Sequence, residues 1–237
     1  MGKLCLMSLL REVGLKKFNN MVADARHQLL VENIQANRGR LEQLFDAQIA
    51  TLKDRGVPEQ IVKLFQKQRG PVLAKVSKMY VDNGYILFLP VIPRTYLSIY
   101  SQMLLVHNGY KTGGYANLVP TAVTDTVDTP EDPYYIYNIE DGELMRNKTP
   151  HDAEKLIEKQ GRLGLTEVEV IALGIHTGVL SKHNVDAIGS RYNLNEIPYL
   201  YLEEGNPVLS SSHNAICDNR WGSASCGSRD WLGDNCA

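Results

Sequence analysis

The sequence predicts an α+β protein. Three observations carry that expectation: helical periodicity fills the first 80 residues, strand and helix patterns interleave after Asn83-Gly84, and the strict strand–helix alternation of a doubly wound sheet is missing. The expected architecture is a set of N-terminal helices packed on a small mixed or antiparallel sheet, with interleaved helices and an irregular C-terminal loop segment. A chain of 237 residues, 43% of them hydrophobic, has enough apolar material for a full-sized core.

In the first half, Leu41, Leu44, Phe45, Gln48, Ile49 and Leu52 fall at three- and four-residue steps, which places them on one helix face. Gly56 closes that helix, Val57-Pro58 opens another, and Arg69-Gly70-Pro71 repeats the stop and start, because proline tolerates a first helical turn. Met21 to Ile34 has a thin apolar stripe and reads as a surface helix. Tyr85 to Leu89, bounded by turn residues and Pro90, reads as a buried strand, followed by a helix from Tyr96 to about Val106 that Asn108-Gly109 ends. Residues 1–40 form a helical extension and 41–237 a single domain; a subdivision, if the chain has one, falls in the loop-like stretch 121–132.

In the second half, Tyr134 to Ile139 alternates as a strand does. Asp141-Gly142 suits a tight hairpin turn that would return Glu143 to Arg146 antiparallel. Thr149-Pro150-His151-Asp152 opens a helix that Gly161 stops, and Thr166-Glu167-Val168-Glu169 is a capping box for a second helix to about Ile175. Ile197 to Leu202 is a strand that Pro198 assigns to a sheet edge, and Glu204 to Pro207 turns it back into Val208-Leu209.

The formal net charge of -2, with mixed signs along the chain, leaves no basic stripe for phosphate neutralisation, so nucleic acid is not an expected partner. The Leu4 to Leu10 apolar run is too short to span a membrane or to act as a secretory signal, so the expected location is cytoplasmic. There, cysteines are free thiols, metal ligands or redox groups before they are disulfides.

Chemistry concentrates in the last 28 residues, which hold Cys217, Cys226, Cys236, both tryptophans, six serines and His213. Cys226 lies in a small-residue run, Gly222 to Ser228, whose backbone N–H groups can converge on an anion. A thiolate there, with His213, His183 or His176 as base and Asp186 or Asp218 as orienter, would suit covalent acyl or alkyl transfer; the bland alternative is a small buried thiol. His213 with the three tail cysteines supplies zinc-type ligands, but no pair has the spacing of a zinc half-site, and no metal is assigned. Arg191 and Arg229, in similar Gly-Ser settings, either clamp an anion or tie loop carbonyls together. Tyr134, Tyr135 and Tyr137, with Tyr199 and Tyr201, either floor a pocket for a flat or peptide ligand or line sheet faces.

The order Gly189-Ser190-Arg191, Ile197-Pro198-Tyr199-Leu200, Pro207-Val208-Leu209 and Gly222-Ser223-Ala224-Ser225-Cys226-Gly227-Ser228-Arg229 resembles the C-terminal signature of a bacterial family known only as a domain of unknown function. The likeness extends more loosely through Phe45 to Gln48, Tyr85 to Pro90, Pro133 to Asp141 and Leu163 to Ile175, and so covers most of the chain after about residue 40. It implies a shared fold and a site near the tail, with no activity or cofactor attached. The resemblance implies tryptophans around a cysteine where this chain has Ser210-Ser211-Ser212; if those aromatics line a pocket in the family, this protein's ligand or role differs.

The resulting expectation is a site for a small anionic molecule or peptide. Its ligand-binding residues are Ser190, Arg191, Ser223, Ser225 and Arg229, with Cys226 and His213 as the catalytic pair if the protein is an enzyme. A purely structural or protein-interaction role is the third reading.

Overall fold

The computed structural model describes residues 38–81, 84–109, 111–213, 215 and 218–232. The Leu4 to Leu10 run and the Met21 to Ile34 helix expected from sequence lie outside them. The chain divides into two compact units, Met1–Leu44 and Phe45–Ala237. Helix α1 (38–54) begins in the first, where Arg38 and Glu42 pair one turn apart at 3.1 Å.

In the second unit, Phe45, Ile49 and Leu52 of α1 are buried, as their spacing requires. Helix α2 (Glu59–Lys67) starts after Pro58, and α3 (Arg69–Val76) restarts after Gln68 with Pro71 in its first turn. Strand β1 (Ile86–Val91) follows. Helix α4 (Ile99–Met103) is shorter than its sequence pattern, because Ser98 caps it by accepting from Ser101 N. The short strands β2 (His107–Asn108) and β3 (Lys111–Thr112) form a hairpin ahead of β4 (Tyr115–Ala116) and β5 (Val123–Asp125). Next come β6 (Tyr134–Ile139), α5 (Pro150–Lys159), β7 (Leu163–Gly164) and α6 (Glu167–His176). Strands β8 (Asn184–Asp186), β9 (Ser190–Tyr192), β10 (Glu196–Glu203) and β11 (Asn206–His213) lead to β12 (Trp221–Ser223), β13 (Ser225–Cys226) and β14 (Ser228–Asp230).

The fold is α+β. Among the described residues, β1, β6 and β14 form one antiparallel sheet with β6 in the middle. A seven-stranded mixed sheet runs β12-β8-β10-β11-β4, with β9 joining β10 to β5; β11–β4 and β12–β8 are its parallel pairs. The two faces of β6 bury different partners. Tyr135 meets Phe45, Phe65 and Phe88 at ring separations of 5.5–6.0 Å, and Tyr134 on the opposite face reaches Glu169 of α6. Helix α6 packs against β1 and β10, and every residue from Glu167 to Ile175 is buried. A helix apolar nearly all round is stable only when enclosed in this way. No helix among the described residues is long and apolar enough to cross a membrane.

Three expectations are corrected. Asp141-Gly142 does not make a hairpin: Glu143–Met145 is a 3-10 turn, closed by Glu140 Oε1 accepting from Leu144 N at 2.9 Å, while β14 takes the free edge of β6. Pro198 is not on an edge strand, since β10 lies between β8 and β11. Proline is tolerated because its missing N–H falls where the neighbouring chain passes from β9 to β8, and its carbonyl still accepts from Ala187 N at 2.8 Å. The tail is not irregular either, because its three short strands join three different sheets.

Candidate functional site

Small residues let the C-terminal segment thread between its neighbours. A Cβ on Gly222 would stand 2.1 Å from the carbonyl oxygen of Gly142, and one on Gly189 would stand 2.5 Å from that of Gly164. Gly189 and Gly222, one in each signature stretch, are therefore places where two backbones touch.

Cys226 pairs with Leu163, is 0% exposed, and has its thiol pushed up to about 12, by burial first and by the Glu169 carboxylate second. His213 is exposed at the end of β11, opposite Glu196, where its Nδ1 accepts from Ala215 N. The two lie in different sheets, one sealed and one in solvent, so the expected nucleophile–base pair is not formed. A thiol titrating near 12 supplies almost no thiolate at neutral pH, and the thiolate is the nucleophile. In a chain whose other three cysteines are serine, Cys226 is expected to resist a disulfide reagent in the native state and to react on unfolding. Fast native labelling would restore the nucleophile reading. Cys217 and Cys236 lie outside the described residues, among which no group of three or more His, Cys, Asp or Glu side chains is placed to hold a metal.

The arginines are committed as well. Arg229 grips Glu169 through Nε at 2.6 Å and Nη2 at 2.8 Å, and donates to Gly164 O at 2.5 Å. Glu169 also accepts from Tyr134 Oη at 2.9 Å and Thr166 N at 2.8 Å, the latter completing the capping box. Arg191 holds both oxygens of Glu154 at 2.6 and 2.8 Å and donates to the carbonyls of Ile188 and Ser190. Each guanidinium fork therefore meets a carboxylate of the chain itself and braces loop carbonyls, and the anion clamp expected from sequence is not assembled. Ser225 Oγ accepts from Arg162 Nε at 3.0 Å, Ser190 Oγ sits between Asp125 and Glu167, and Ser223 Oγ donates to Asp186 Oδ2 at 3.2 Å. Ser190, Ser225, Cys226 and Arg229 do converge, around the segment from Leu163 to Glu169, but as a closed polar hub.

A different surface is open. Paired residues on adjacent strands point to the same face, so the registers Ser223↔Asp186, Asp186↔Tyr199 and Tyr199↔Ser210 line up one polar row across four strands. One step along, Trp221 stacks on Tyr199 at 4.5 Å and 26°, and Tyr201 lies 5.0 Å from Tyr199. The three rings are half-buried and form a continuous aromatic strip. Tyr201 Oη and Tyr115 Oη both donate to Glu203 at its end. Asp186 is 1% exposed and pushed up to about 7 by burial; Ser223 satisfies Oδ2, and Oδ1 has no hydrogen-bond partner among the described residues. The carboxyl groups beside the strip are Asp186 and Glu203, and the His183 imidazole also acts on Asp186, drawing its value down against the effect of burial. Tyr134, Tyr135 and Tyr137 take no part, because β6 is buried on both faces.

Sequence reasoning named Tyr199, Tyr201 and Asp186, but gave Asp186 a different role. The available signal was the alternation Tyr-x-Tyr-x-Glu over 199–203 facing Ser-x-Ser over 210–212; without the register, it did not single out a partner strand.

No curated protein and no solved structure matches this chain. A family model matches residues 43–207, a span that ends before the Gly222 to Arg229 stretch. On that match, which covers well over half of the sequence, the chain belongs to the Family of unknown function (DUF5701).

Proposed function

We propose that the protein binds a small ligand on the aromatic strip of its seven-stranded sheet, with a flat ring against Trp221 and Tyr199 and a hydrogen-bond donor or positive charge directed at Asp186. The observation that carries this reading is the uncommitted, almost fully buried oxygen of Asp186, in register with half-exposed stacked rings. Once Asp186 is ionised, above about pH 7, this oxygen is a buried acceptor without a donor, which costs about 1–3 kcal/mol, and a ligand donor would offset that cost. Aromatic faces and carboxylates also favour cations over anions. The C-terminal segment thus contributes Trp221 and Ser223 to the site, while the anionic ligand gives way to a neutral or cationic one because Arg191 and Arg229 are already paired. The role is binding rather than thiol catalysis, and we place it in the cytoplasm, where a free thiol such as Cys226 persists.

The chain has two tryptophans, so Trp231→Phe leaves Trp221 as the sole reporter. Its fluorescence is to be titrated with phenethylamine, 2-phenylethanol and phenylacetate, which share one skeleton and differ in head group. The expected result is a saturable change with the amine, a weaker one with the alcohol and none with the carboxylate. Asp186→Asn should reduce the amine response several-fold. An equal response to phenylacetate, an undiminished response in Asp186→Asn, or no saturable response to any of the three would overturn the reading.

A further inference from the structure

At the start of α6, Ser190 Oγ lies 2.7 Å from Asp125 Oδ1 and 2.7 Å from Glu167 Oε2, and it accepts from Glu167 N at 3.0 Å. A hydroxyl has one proton to donate and two lone pairs. It can therefore donate to only one of the two carboxyl groups. The other 2.7 Å oxygen–oxygen contact needs a proton of its own, carried by the carboxyl. Asp125 is the ionised partner, because both its oxygens receive Arg94 Nη2 at 2.8 Å and its side chain is partly exposed. The Glu167 side chain is 0% exposed, so it carries the proton. The donors then run Glu167 Oε2–H to Ser190 Oγ, Ser190 Oγ–H to Asp125 Oδ1, and Arg94 to both Asp125 oxygens; Arg94 Nη2 also lies 2.5 Å from Glu167 Oε1, a contact without hydrogen-bond geometry. One guanidinium and one carboxylate leave the cluster neutral, as burial demands.

The cluster ties together four separate segments. Arg94 follows β1, Asp125 ends β5, Ser190 opens β9 opposite Asp125, and Glu167 begins α6. Beside it, Thr126 N donates to Gly189 O at 2.9 Å, at the point where the chain enters the loop leading to β6. The neighbouring charges are neutralised elsewhere: Arg191 on β9 by Glu154 of α5, and Glu169 on α6 by Arg229 of β14.

We propose that Arg94, Asp125, Ser190 and Glu167 form a proton-operated latch, in which one proton held between Glu167 and Ser190 fastens β5 and β9 to the start of α6, and loss of that proton releases them. Deprotonation would leave two carboxylates competing for a single hydroxyl proton and one guanidinium, and would turn the Glu167–Ser190 contact from attractive to repulsive. The Glu167 carboxyl is pushed up to about 7, by burial first and by the Asp125 charge second, so the release falls near neutrality. As an acid with a raised folded-state value, it stabilises the closed corner fully below the ordinary glutamate range, and that stabilisation is lost as pH rises through about 7.

Hydrogen exchange of the Glu167 and Thr126 amides, expressed as protection over the intrinsic rate, tests the latch. In the wild type, protection is expected to fall by up to about tenfold for each pH unit between the ordinary glutamate range and about 7, and to level off above it. Glu167→Gln, whose amide N–H replaces the acid proton, should keep its protection across the same range. Parallel pH profiles in the two proteins would overturn the latch. If the variant does not fold, a carboxyl carbon titration of labelled wild-type Glu167 decides: a midpoint near the ordinary glutamate value sinks the proposal, and one near neutrality supports it.

Discussion

Arg229→Ala is expected to lower the unfolding free energy by about 3–5 kcal/mol at neutral pH, the cost of breaking one side of a buried ion pair. Glu169 is fully buried and draws its compensation from Arg229, Tyr134 and Thr166 N; without the guanidinium its charge stays in the core against two neutral donors. Arg229 also ties β14 to Gly164 at the end of β7, so the loss should reach the tail. The comparison that isolates the charge is Arg229→Met with Glu169→Leu. Replacing both partners with apolar groups removes the stranded carboxylate, and the double variant should recover much of the loss. Denaturant midpoints of the three proteins measure this. A single variant within about 1 kcal/mol of wild type would mean that the pair is not sealed from water.

Asp186→Asn is expected to act in the opposite direction, and only at higher pH. The folded protein holds the Asp186 proton up to about 7, whereas the unfolded chain releases it near 3.8. An acid with a raised folded-state value contributes its full stability below the unfolded value and loses it as pH rises through the folded one. Wild type and Asp186→Asn should therefore be similar near pH 4. At about pH 8 the variant should be the more stable by up to about 4 kcal/mol, the equivalent of the roughly three-unit displacement. The same substitution is expected to weaken the proposed ligand. A residue whose removal stabilises the fold and impairs binding fits a carboxylate kept for function. A stability difference that does not change with pH would show that Asp186 is solvated in the folded state, and would weaken the case for the site with it.

Local features of the fold were legible because they depend on neighbours a few residues apart. The stripe through Phe45, Ile49 and Leu52, the proline restarts at Pro58 and Pro71, and the Thr166–Glu169 capping box all appear in the structure where their spacing put them. The failures share the opposite property. Asp141-Gly142 has the chemistry of a hairpin turn, but the strand it would have paired is occupied by β14, more than eighty residues later in the chain. Pro198 follows the rule that proline avoids central strands, and is tolerated at a handover between two partners that no local pattern reveals.

The candidate site divides in the same way. Residue types alone marked Cys226, Arg191 and Arg229 as reactive or charged, and marked the tail as chemically dense. Whether a thiol is activated or buried, and whether a guanidinium meets a ligand or a glutamate, depends on partners 37 to 60 residues away. Sequence by itself determined the α+β class and, among the described residues, the places where helices lie and the caps that open them, since propensity and periodicity are short-range properties. Tertiary structure alone decided which charges cancel, which oxygen of Asp186 is left uncommitted and which rings reach the surface, because burial and strand register are set by the whole assembled core.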